Sequence, residues 1–142
     1  MKKVVLLLVL AMSTITFAQL EVKENKNEVI KLWSGMGRQS LMKIIINNDM
    51  TSDTSYAFNY QDANYSQLVV IESIYFDNIE EVIQFLDLVE SAIIKGTKFE
   101  TAKYNIRSHK KYAIVTPEKG FTYMSVKLVN KIRLALEEKG EI

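Results

Sequence analysis

The hydrophobic period of this chain changes from two to 3.6, and later does so again, which restricts the fold to strands followed by a helix, twice over. Thr54 to Tyr60 alternates, with Tyr56, Phe58 and Tyr60 on one side and Ser55, Ala57 and Asn59 on the other, the pattern of a half-buried strand. Ile79, Val82, Ile83, Leu86, Val89 and Ile93 then recur at helical spacing opposite Glu80, Glu81, Gln84, Asp87 and Ser91. Asp77 or Asn78 stands where an N-cap belongs, with Glu80 or Glu81 at the matching capping-box position, and Gly96 stands where a helix ends in the left-handed conformation.

The remaining segments fit around these. Val29–Trp33 reads as a strand or a helical turn, Gly35–Gly37 as a turn, and Leu41–Ile46 as a β-branched strand. Gln67–Phe76 is a long β run, apolar on both faces over Leu68–Ile71, and is expected at the centre of a sheet. In the second half Lys98–Arg107 reads as one strand with Lys103 and Arg107 on the same face, and Tyr112–Thr116 and Phe121–Val126 as two more around a Pro117–Gly120 turn. A second helix is expected from about Val126 to Lys139, with Leu128, Val129, Ile132, Ala135 and Leu136 inward. The fold class expected is α+β: a mostly antiparallel sheet of six or seven strands with two helices packed on it, in the order three or four strands, helix, three strands, helix.

The N-terminus carries an address. Lys2 and Lys3 precede nine apolar residues, Val4 to Met12, and small residues at Thr16 and Ala18 close the segment. That is the layout of a secretory signal peptide over residues 1–18, too short to span a bilayer. Residues 19–28 read as a flexible lead-in, and residues 29–142 as a single α+β domain. Cysteine is absent, which excludes disulfides, thiol nucleophiles and thiolate metal sites. The expected product is a soluble periplasmic or extracellular protein, with a bacterial origin favoured.

Charge is split along the chain. Ile44 to Ile94 holds nine acidic residues and no lysine or arginine, whereas Lys95 to Leu136 holds ten basic residues and two acidic ones. The basic stretch supplies the candidate anion- or partner-binding residues: Lys103, Arg107, Lys110, Lys111, Ser125, Lys127 and Lys131. An anion would gather the free N–H groups of the second helix, the Ser125 hydroxyl and the ammoniums of Lys127 and Lys131 at one site. The competing expectation, which is favoured, is that the acidic half satisfies these cations within the chain or across a dimer.

No other constellation carries chemistry. His109, the lone histidine, falls in a turn beside Lys110 and Lys111, with no nucleophile and orienting group assembled around it. The Asn47–Asp53 loop lacks the spacing of a calcium loop, and the paired carboxylates of the first helix lie on its solvent face. The expectation is therefore a non-enzymatic binding module without catalytic residues, metal or cofactor. A protein partner or self-association is favoured, a polyanion using residues 95–133 is the alternative, nucleic acid is disfavoured, and a hydrolase comes last.

Overall fold

The computed structural model describes residues 27–35, 38–48 and 50–142, so the signal segment 1–18, most of the lead-in and two residues of the Gly35–Gly37 turn lie outside the described residues. The alternating aromatic segment forms the third strand of an antiparallel sheet: β1 (Glu28–Ser34), β2 (Ser40–Asn47), β3 (Ser52–Gln61) and β4 (Ile71–Phe76), paired in chain order. Tyr56, Phe58 and Tyr60 are buried together, as period two requires, and each lies opposite a neighbour on the same face, Phe58 between Leu41 and Ile74.

Helix α1 (Ile79–Lys95) follows two residues later. The Asn78 side chain accepts the Glu81 N–H at 2.9 Å, and the Glu81 carboxylate accepts the Asp77 N–H at 3.1 Å, so the first turn is capped from both sides. Gly96 closes the helix at φ 67°. The inward face is Val82, Phe85, Leu86, Val89 and Ala92. Phe85, outside the stripe expected from the sequence, is its most connected member, with ring centroids 5.1 Å from Tyr104, 5.3 Å from Phe76 and 5.7 Å from Phe58.

The second half repeats the order with β5 (Lys98–Glu100), β6 (Tyr104–His109), β7 (Tyr112–Pro117), β8 (Thr122–Ser125) and α2 (Val126–Glu138). The α+β class, the antiparallel pairing and the two helices are as expected, but the eight strands divide into two four-stranded sheets, β1-β2-β3-β4 and β5-β6-β7-β8. Two local features account for the difference in strand count and layout. The Lys98–Arg107 run is broken because the Thr101 hydroxyl accepts the N–H groups of Lys103 (3.3 Å) and Tyr104 (3.0 Å), folding the chain into a β5–β6 hairpin. The Gln67–Phe76 run is a strand only from Ile71 and lies at a sheet edge rather than the centre. Its first residues belong to a loop pinned by the Asp62 N–H to the Val70 carbonyl at 2.8 Å, with Leu68 and Val69 exposed.

One cluster of buried side chains runs through both sheets and both helices. Helix α1 packs chiefly on β6 and β7 of the second sheet, and also touches α2, β3 and β4; α2 rests on β1 and β8. Polar contacts join the halves at their edge. The buried Asp62 carboxylate accepts the N–H groups of Asn64 (2.9 Å) and Phe121 (3.2 Å), and Gln39 donates to the Thr122 hydroxyl (3.0 Å) and the Tyr123 carbonyl (3.1 Å). Gly120 adopts φ 66° directly against that carboxylate, where a Cβ would overlap it.

Candidate functional site

The structure separates the seven sequence candidates. Lys103, in the β5–β6 turn, places its ammonium 2.7 Å from Glu81 and 3.5 Å from Asp77. The hydrogen bond from Lys103 holds the Glu81 carboxyl below its ordinary range, and that same bond raises Lys103. Ser125 caps α2, accepting the Leu128 N–H at 3.2 Å, so its hydroxyl serves the helix. Arg107 lies on the outward face of β6, Lys110 and Lys111 form the tip of the β6–β7 hairpin, and Lys127 and Lys131 project from the first turns of α2. All five are exposed, and none makes an ion pair among the described residues.

These positions do not form one site. Lys103 and Lys110 bracket β6, and six residues of strand separate them by about 20 Å. Part of the charge split is nonetheless resolved inside the chain. Arg133, two residues beyond Lys131, sends its two terminal nitrogens to Asp87 and Glu90, each at 2.6 Å, joining α2 to α1. Burial disfavours the Arg133 charge, and the two carboxylates more than compensate, raising its pKa.

A broader groove lies elsewhere, along β4. A groove of about 660 Å³ is bounded on one side by Ile71, Glu72, Ser73, Ile74 and Tyr75, and on the other by Ala102 and Lys103 and by Pro117, Glu118 and Lys119. Five consecutive strand residues line it, and they alternate between the two faces of the sheet, so the groove runs along the strand's free edge. β4 pairs with β3 alone, which leaves its outer row of backbone N–H and C=O groups facing the groove. Tyr75 and Ile71 are exposed beside it, with Leu68 and Val69 on the adjoining loop.

The walls of the groove are tied down. Tyr60, fully buried at its base, donates its hydroxyl to the Lys119 carbonyl at 2.5 Å. Burial first, then the Glu72 and Asp62 carboxylates, push that hydroxyl up to about 12. Lys103 is held by Asp77 and Glu81 across the other end.

Reading the sequence did not single out Ile71, Ser73 and Tyr75. The available signal was negative: the last strand before a helix carries no lysine and no proline, two usual means of blocking an edge. Among the described residues no group of His, Asp and Glu side chains converges as a metal site, and no helix is long and apolar enough to cross a membrane. Comparison with protein-family models, curated proteins and solved structures finds no match.

Proposed function

We propose that this protein is an exported, non-enzymatic binding module that takes an extended segment of a protein partner as a fifth strand on β4. The observation that supports the reading is the groove along the unpaired edge of β4, lined by both faces of the strand. Strand addition draws affinity from main-chain hydrogen bonds and specificity from alternate side-chain positions. Here the outer-face positions are apolar at Ile71 and Tyr75 and polar at Ser73, and Glu72 contributes a charge from the opposite face. A partner segment with apolar residues at every second position and a basic residue between them fits that row.

Selection of peptides from a displayed library tests this. The selected peptides should share an alternating apolar pattern and should slow amide exchange at Ile71–Phe76. The double variant Ile71→Glu with Tyr75→Glu should weaken them at least tenfold at an unchanged melting temperature, since both side chains are exposed. Protection confined to β5–β8 would overturn the proposal. So would a wild-type dimer whose dissociation is the only effect of the double variant.

A further inference from the structure

A second surface, separate from the β4 groove, carries three of the cations that make no ion pair among the described residues, Arg107, Lys110 and Lys111. The inward side of the β5–β8 sheet is filled by Ile106, Ala113, Val115, Thr122 and Met124. By alternation its outward side carries Arg107, Ile114 and Tyr123 in one cross-strand row, and His109, Tyr112 and Ser125 in the next, with Ile114 itself buried and Arg107, His109, Tyr112 and Tyr123 exposed. Tyr112 and Tyr123 are 48% and 45% exposed, and their rings meet edge to face with centroids 6.5 Å apart. Phe121 braces Tyr123 from its other side at 5.5 Å. Two half-open rings thus stand side by side on the outer face of the sheet.

The charged side chains next to those rings on β6 and its hairpin are cationic. Arg107 borders them on β6, and Lys110 and Lys111 stand at the hairpin beyond His109 and Tyr112. Glu100 is the only acid in the four strands, and it is engaged by Lys98. Lys110 adopts φ 54°, the left-handed region that a hairpin tip ordinarily gives to glycine, asparagine or aspartate. A lysine is held there against its backbone preference, at the tip of a cationic face.

We propose that this outward face binds a linear acidic polysaccharide. Uronate or sulfate groups would meet Arg107, Lys110 and Lys111, and the C–H faces of the sugar rings would stack on Tyr112 and Tyr123. A sheet face with exposed rings and with cations that make no ion pair among the described residues suits a chain molecule better than a small ligand, which needs a concavity. An exported protein, as the signal-peptide layout implies, would meet envelope and extracellular polysaccharides.

Isothermal titration of the purified protein with polygalacturonate, dextran and poly(dT) tests the assignment. Polygalacturonate should bind and dextran should not, with affinity falling at least tenfold between 50 and 200 mM NaCl as counterions are released. Arg107→Gln with Lys111→Gln should reduce affinity at least tenfold and flatten the salt dependence. Tyr123→Ala should reduce affinity while leaving the salt dependence intact, which separates stacking from charge. The Ile71→Glu, Tyr75→Glu double variant should bind polygalacturonate like the wild type, so failure here is independent of failure at β4. Absence of polygalacturonate binding at 50 mM NaCl, equal binding of dextran, or tighter binding of poly(dT) would each overturn the proposal.

Discussion

Asp62 shows how much one side chain can organise. Its carboxylate is buried and accepts N–H groups from both the loop after β3 and the start of β8. Asp62→Ala leaves those donors without a partner and should cost about 1–3 kcal/mol, read from the shift of a urea midpoint at constant slope. Lys110 should respond in the opposite direction. A left-handed non-glycine residue costs about 1–2 kcal/mol and a glycine about 0.5–1 kcal/mol of chain entropy, so Lys110→Gly should stabilise by about 0.5–1 kcal/mol. The same variant should bind polygalacturonate less tightly, and a gain in both properties would argue against a functional lysine at the tip. Lys110 was visible in sequence as a candidate contact, but its left-handed backbone and the role of Asp62 were not. The Gln61–Asn64 turn could be recognised from its residue types, but the second partner of its carboxylate, the Phe121 N–H, is 59 positions away in the chain.

At the scale of elements, legibility followed locality. α1 was readable because its cap, its apolar stripe and its terminal glycine all lie within twenty residues. The Pro117–Gly120 turn was readable for the same reason. What failed depended on distant neighbours: an apolar run does not say whether it will sit between two strands or beside one, and Gln67–Phe76 ended at an edge. The Phe85 ring was missed because its burial comes from Phe76 and Tyr104, one in each sheet. The candidate site divided in the same way. The basic residues were visible as a composition, whereas their sorting into Lys103 and Arg133, paired, and Arg107, Lys110 and Lys111, without an ion pair among the described residues, is a property of the packed chain. Phe85→Ala should cost about 3–5 kcal/mol and Leu86→Ala about 2–5 kcal/mol, while Gln84→Ala on the exposed face should stay within about 0.5 kcal/mol. Equal urea midpoints for the three would contradict the orientation of α1. Ser125→Ala should cost about 1 kcal/mol as a lost cap, read from the urea midpoint.

For the molecule as a whole, the ion pairs that join distant segments make stability depend on pH. Glu141 accepts hydrogen bonds from Lys43 at 2.7 Å and the Tyr56 hydroxyl at 2.8 Å. Burial alone would raise its pKa, and those two donors reverse the direction, leaving it below 4.5. Glu81 is lowered as well. A depressed folded pKa contributes stability that is complete above the unfolded value and is lost as pH falls through the folded one. Melting temperature should therefore be flat above about pH 5 and fall below about 4.5, less steeply in a Glu81→Gln, Glu141→Gln double variant. Tyr60 and Tyr104 act at the other end. Burial, then nearby carboxylates, raise both to about 12, so stability should decline once the unfolded tyrosines ionise near pH 10. An unchanged melting temperature from pH 9 to 11 would contradict this. The packing of α1 has a further consequence, one of timing. Because the helix encoded in the first half lies chiefly on β6 and β7, encoded in the second, its apolar face is covered only in part, by Phe58 and Phe76, until those strands have been made. At about 5–20 residues per second of synthesis, the first half waits a few seconds with that face incompletely buried. Such a chain is not fully packed while it is being made, the condition in which a polypeptide can still be threaded through a narrow pore.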